Sequence, residues 1–125
     1  MPIPIGLVVD DDPQVRSFLS ETLRRGGLQV FTAKSGNEAL RLTAAVNPAI
    51  VVTDIEMPDG DGVELCRQLR QLHTTDTLKI IVVSAVTSST QGDDAKAAGC
   101  DAVLAKPCSP ALLLSTIRQL LIKPS

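Results

Sequence analysis

Five short apolar runs alternate with amphipathic segments along the chain. Ile5 to Val9, Leu28 to Thr32, Ile50 to Val52, Lys79 to Ser84 and Ala102 to Ala105 are strand-sized and rich in β-branched residues. Between them, apolar positions recur at helical spacing. Val15, Phe18, Leu19, Thr22 and Leu23 share a face, opposite Arg16, Ser17, Ser20, Glu21 and Arg24. Asp12-Pro13 supplies the N-cap and first residue of that helix, and Gly26-Gly27 stops it. Ser35 to Glu38 has capping-box spacing. The helix after it turns Ala39, Leu42, Thr43 and Val46 inward and ends before Asn47-Pro48. A third helix follows Gly62, with Leu65, Cys66, Leu69 and Leu72 together. Ser88 to Ala98 is the weakest, offering only alanines to a core, and Gly99 caps it. Ser109-Pro110 opens the last, with a stripe of Leu113, Leu114, Ile117, Leu120 and Leu121.

Strand and helix repeated about five times predict an α/β fold: a parallel sheet covered on both faces. Right-handed crossovers restrict it to a doubly wound arrangement with five helices. At 125 residues the chain has room for one core, so residues 1–125 are expected to form one domain with no output domain attached.

Composition removes several function classes. The apolar runs are too short to span a bilayer, and the first residues lack the regions of a signal peptide, so a cytoplasmic location without membrane contact is expected. Fourteen acidic and 12 basic residues give a net charge of −2, which argues against direct nucleic-acid binding. Two Phe and no Trp or Tyr argue against base stacking and against a flat cofactor held between rings. Cys66, Cys100 and Cys108 lack metal-ligand spacing and read as small buried hydrophobes. His73 sits in a polar connection and reads as surface.

Chemistry concentrates at the strand ends. The first strand leads into Asp10-Asp11-Asp12, the third into Asp54, the fourth into Ser84 and the fifth into Lys106. In a parallel sheet these ends point the same way, where ligands bind. Asp12 is explained as a helix cap, and Asp59 and Asp61 as turn residues. Asp10, Asp11 and Asp54 converging would repel one another unless a hard divalent cation relieves them. Cation, ammonium and hydroxyl around a carboxylate suit phosphoryl transfer, where catalysis is mostly positioning and charge neutralisation.

These residues also carry a family resemblance. Leu7-Val8-Val9-Asp10-Asp11-Asp12-Pro13, Thr53-Asp54-Ile55-Glu56-Met57-Pro58 with Asp61-Gly62, Val83-Ser84-Ala85 and Lys106-Pro107 resemble, in order and spacing, the receiver domain of bacterial two-component response regulators. The resemblance implies a flavodoxin-like sheet in the order 2-1-3-4-5 and a phosphorelay switch that assists only its own phosphorylation and dephosphorylation. It makes Asp54 the phospho-acceptor, and Asp10, Asp11, Asp54 and the Glu56 backbone carbonyl the Mg²⁺ ligands. Ser84 is then the hydroxyl that follows the phosphoryl group, and Lys106 its cationic partner. Pro107 matches a proline usually preceded by a cis peptide, a bond type otherwise rare. The implied partners are a histidine kinase or phosphotransfer protein, which donates from phosphohistidine, and a downstream effector or output domain. The response is expected on the face formed by the fourth helix, fifth strand and fifth helix.

The chain departs from the family pattern in places. Val103 stands where the family usually has Tyr or Phe, and a stiff valine cannot act as an aromatic rotamer switch. Output is therefore expected to pass through residues 85–90 and the helix after them. Cys108 replaces a frequent Phe. The Glu56 side chain is placed to meet Lys106 in the unphosphorylated state. Leu112 and Ile122, off the core stripe, leave apolar surface for a partner or a homodimer. Two other readings remain at this stage. A haloacid dehalogenase-type Mg²⁺ phosphohydrolase would use Asp10 as nucleophile, although Gln14 breaks its motif. A receiver-like binding module would keep the fold without the chemistry.

Overall fold

The apolar runs become five parallel strands: β1 (Ile5–Val9), β2 (Gln29–Ala33), β3 (Ile50–Asp54), β4 (Lys79–Ala85) and β5 (Ala102–Lys106). The computed structural model describes residues 3–57, 60–72, 78–85 and 89–122. The sheet order is β2-β1-β3-β4-β5, as expected of a doubly wound fold. Five helices cover it: α1 (Pro13–Arg25), α2 (Gly36–Val46), α3 (Gly62–Leu72), α4 (Ser89–Ala97) and α5 (Pro110–Ile122).

Strand alternation sorts the core into two halves. Val8, Ile50, Val52, Ile81 and Val83 face one side, against Leu19 and Leu23 of α1 and Leu113 and Ile117 of α5. Leu7, Val9, Val51, Ile80 and Val82 face the other, against Ala39, Leu65, Leu69 and Ala95 of α2, α3 and α4. Burying each large aliphatic side chain stabilises by roughly 1.5–3 kcal/mol. As the sequence suggests, α4 is thinly anchored: Ala95 is its one buried residue among those whose side chains are described.

Local signals behave as their chemistry dictates. The Asp12 carboxylate caps α1, accepting from the N–H groups of Gln14 at 2.8 Å and Val15 at 3.4 Å. Ser35 Oγ caps α2, accepting from the Glu38 N–H at 3.2 Å. Asn47 ends α2 in the left-handed region at φ 51°, which asparagine tolerates.

Several expectations need correction. β2 begins at Gln29 and runs to Ala33, one residue later than the apolar run suggests, with Leu28 leading into it. β3 and β5 each extend through their chemical residue, so Asp54 and Lys106 are the last residues of strands. Phe18 is 47% and Leu72 67% exposed, so neither is core. Glu56–Met57 pairs antiparallel with Gly60–Asp61, which makes Asp61 part of a short ladder. Leu112 and Ile122 are exposed, as expected of residues off the core stripe. His73, Pro58, Asp59 and residues 86–88 of the expected output loop lie outside the described residues.

Gly62 joins this scaffold to the strand ends. Its N–H donates to the Ile55 carbonyl at 2.7 Å, and a Cβ there would lie 2.4 Å from the Asp54 carbonyl oxygen and 2.9 Å from the Ile55 Cα. Both obstacles are backbone, so neither can swing aside. Gly62→Ala is expected to destabilise by about 1–3 kcal/mol through forced backbone displacement, read as a lower urea midpoint with the slope unchanged. A midpoint equal to the parent's would show that α3 can shift freely.

Candidate functional site

Register explains which side chains meet. Val9 pairs with Thr53, so the residues that follow, Asp10 and Asp54, stand side by side at the carboxyl edge. Asp10 continues the parity of Val8, Asp54 that of Ile50 and Val52, and Lys106 that of Ala102 and Leu104, all on the α1/α5 side. The Lys106 ammonium reaches both acids, 3.2 Å from Asp54 Oδ1 and 3.4 Å from Asp10 Oδ2.

The two carboxylates are held differently. Asp10 is 1% exposed and both its oxygens are engaged: Oδ1 accepts from the Asp12 N–H at 2.9 Å and Oδ2 faces Lys106. Its backbone is tied as well, the Arg16 guanidinium donating to the Asp10 carbonyl at 2.8 Å. Asp54 is 9% exposed. Its Oδ1 accepts from the Ile55 N–H at 2.8 Å and faces Lys106, while Oδ2 has no protein partner among the described residues. The Thr53 hydroxyl steadies the Asp54 carbonyl from 2.9 Å. Asp54 is thus fixed in orientation with one oxygen open.

Burial pushes the Asp10 carboxyl above the usual carboxylate range, against the pull of the Asp12 N–H and Lys106, and the neighbouring Asp54 charge adds to the rise. Burial works against the Lys106 ammonium, yet Asp54 and Asp10 together outweigh it and hold its pKa above the ordinary lysine value.

Asp10, Asp11, Asp12, Asp54, Glu56, Met57 and Lys106 line an open polar cleft of about 440 Å³. Carboxylate oxygens of Asp10, Asp11 and Asp54 lie within 4.8 Å of one another. Three acids that close, facing one ammonium, fit a hard divalent cation. Ser84 is 7% exposed and lies one residue past the level of Asp54, which pairs with Val83. It keeps the parity of Ile80 and Val82, toward α3 and α4, and is not among the residues lining the cleft. Glu56 lines the cleft but makes no ion pair with Lys106; the lysine is already shared by Asp10 and Asp54, which corrects the expected pairing. The Lys106–Pro107 bond is cis.

Sequence reasoning missed two features. Arg16 was read as part of the solvated face of α1. A second, apolar groove of about 460 Å³ lies beside the cleft, lined by Gln14, Val15, Phe18, Leu19, Val83, Lys106, Pro107 and Cys108. Its signal was Phe18, an aromatic in a chain with only two, placed on an assumed core stripe.

Comparison with known proteins follows the same outline. Residues 7–118 match the model of the response regulator receiver domain. The chain belongs to this family. It is 45% identical over 121 residues to the response regulator MprA of Mycolicibacterium vanbaalenii, covering 97% of this chain and 51% of that protein. The chain therefore spans about half the length of the curated relatives it matches. A putative response regulator from Chloroflexus aurantiacus superposes with TM-score 0.91 at 33% identity, covering 98% of this chain and all of that one. The chemotaxis protein CheY4 of Vibrio cholerae does so with TM-score 0.89 at 30% identity, covering 96% and 100%. The receiver is a phospho-accepting switch of two-component signalling, and neither the phosphohydrolase nor the bare binding module is favoured. Among the described residues no helix is long and apolar enough to cross a membrane.

The raised Asp10 carboxyl sets a pH dependence. A folded-state value above the unfolded one contributes stability that is full below the unfolded value, near 3.8, and lost as pH rises through the folded value. In chelator-treated buffer, the melting temperature of Asp10→Asn relative to the parent should therefore climb as pH rises from about 4 to about 7. A difference that stays constant with pH would show that the buried charge carries no penalty.

Proposed function

We propose that this receiver takes a phosphoryl group onto Asp54 from the phosphohistidine of a histidine kinase or phosphotransfer protein. The observation that carries the assignment is the asymmetry of the two acids. Asp10 has both oxygens occupied, whereas Asp54 is held through Oδ1 with Oδ2 open to the cleft. An oriented carboxylate with one unshared oxygen is the nucleophile of the pair.

In the transfer an Asp54 oxygen attacks phosphorus, the bond from phosphorus to the donor imidazole nitrogen breaks, and an acyl phosphate forms. Lys106 already stands 3.2 Å from Asp54 Oδ1 and meets the charge arriving on the phosphoryl oxygens. Asp10, freed from part of that pairing, keeps its Asp12 N–H. Ser84 donates its hydroxyl to the phosphoryl group once the end of β4 moves toward the cleft. Asp10, Asp11 and Asp54, with the Glu56 carbonyl, would hold Mg²⁺, which when bound supplies positive charge against the phosphoryl oxygens. The domain assists only its own phosphorylation and dephosphorylation, and residues 1–125 act as one receiver unit in the cytoplasm. Its output goes through α4 and its neighbours to an effector or output domain, without direct nucleic-acid or membrane contact by this domain. The exposed Leu112 and Ile122 on α5 give a second copy a surface to meet.

The apolar groove supports a protein donor. Lys106 lines both groove and cleft, so a donor helix seated on Phe18 would bring its phosphohistidine to the open side of Asp54. Small donors need no such seat.

Incubation with acetyl phosphate and Mg²⁺ should add one phosphoryl group, mapped to Asp54 by borohydride trapping, and Asp54→Asn should abolish it. Label on Asp10 would overturn the assignment. Phe18→Ala should slow transfer from a phosphohistidine protein about tenfold or more, the loss of one large apolar anchor. Its rate with acetyl phosphate should be unchanged; equal slowing with both donors would place Phe18 in the fold rather than in docking.

A further inference from the structure

Two cysteines outside the cleft belong to one core cluster. Cys66, on α3, is fully buried, and Cys100, between α4 and β5, is partly exposed. Both belong to the core on the α2/α3/α4 side of the sheet. Their meeting is enforced one helical turn away. Arg70, four residues after Cys66 on the same face of α3, donates to the Gly99 carbonyl at 2.8 Å and the Leu78 carbonyl at 2.6 Å, and pairs with Asp101 at 2.6 Å. The residues on either side of Cys100 are therefore clamped to α3. Gly99, at φ 109°, packs against the Arg70 side chain so closely that a Cβ would lie 2.8 Å from its Cγ.

We propose that Cys66 and Cys100 are a redox pair, closing to an intramolecular disulfide when the protein meets hydrogen peroxide. The sulfur of Cys100 attacks a peroxide oxygen, the O–O bond breaks, and the product is a sulfenic acid plus one water. The sulfur of Cys66 then attacks Cys100, its proton leaves with the hydroxyl as a second water, and the S–S bond forms. Two thiols lose two electrons and one peroxide gains them. The division of labour follows from position. Cys100 is reachable, and contact with the Cys66 S–H favours its thiolate; Cys66 is buried and keeps its proton until the second step. A disulfide needs the sulfurs to close to about 2.0 Å, and the Arg70 clamp on Gly99 and Asp101 keeps Cys100 at the face of α3 that carries Cys66. Disulfides in a reducing compartment are usually transient and sensory, which suits a pair with one accessible member. The bond would staple α3 to the end of α4, the helix with the least core of its own. Cys108, on the other side of the sheet and with its thiol pushed up by burial, takes no part.

The test is a thiol count under denaturing conditions before and after stoichiometric hydrogen peroxide, with fragmentation mass spectrometry of the digest. The parent should fall from three free thiols to one, carry a 66–100 link and recover fully with dithiothreitol. Cys108→Ser should fall from two thiols to none, and Cys100→Ser should form no internal bond. A parent that keeps three thiols, links Cys108, or yields only intermolecular dimers or sulfinic acid would overturn the proposal. Because the parent and Cys108→Ser decide the question, a folding failure in a Cys66 variant does not affect it.

Discussion

The site rests on one shared cation. Lys106 ends β5 and reaches across the edge of the sheet to carboxylates that end β3 and follow β1. Without it, two nearly buried acids would face each other with only backbone N–H groups to offset the repulsion, and a low-dielectric setting makes that expensive. With it, the negative charge is partly matched but not quenched, since the clustered Asp10, Asp11 and Asp54 face one ammonium. That residual charge suits a divalent cation and, on the proposed reading, leaves Asp54 the reactive acid.

The rest of the fold serves that edge. Parallel pairing levels Asp10 with Asp54, and strand parity sends both, with Lys106, to the α1/α5 side. Gly62 lets α3 start directly beneath the Asp54 carbonyl, and the Ile55 N–H turns back to fix Asp54 Oδ1. The same lysine borders the apolar groove, so the proposed partner docking and phosphoryl transfer would meet at one residue. On the opposite side, Arg70 holds the connection after α4 through the Gly99 carbonyl, and Ala95 is the one buried residue of α4 among its described side chains, which suits the proposed response of this helix.

Much of this was legible in the sequence because strand ends are chemically marked. Alternation of apolar runs with helical stripes defines the sheet, and Asp10, Asp54 and Lys106 follow from counting to the ends of strands. What was not legible depended on geometry that no period encodes. Phe18 sits on the helical stripe of α1, yet it is half exposed and lines the groove. Leu72 is the last residue of α3 and lies exposed. The Glu56 pairing failed because two nearer acids already occupy the lysine. Arg16 falls on the polar face of α1, and no pattern in the sequence marks Arg70; both donate to backbone carbonyls, a role for which their long planar forks are suited. The Cys66 and Cys100 contact joins residues 34 apart, and spacing alone does not show that α3 and the α4–β5 connection run together.

The central claim is that Lys106 holds the acid pair through charge. Carbon-13 NMR titration of the Asp10 carboxyl in metal-free solution, in the parent and in Lys106→Met, measures it directly. The Asp10 midpoint, already above the usual carboxylate range, should rise further when the ammonium is removed. A midpoint that stays where it was, or falls, would contradict it.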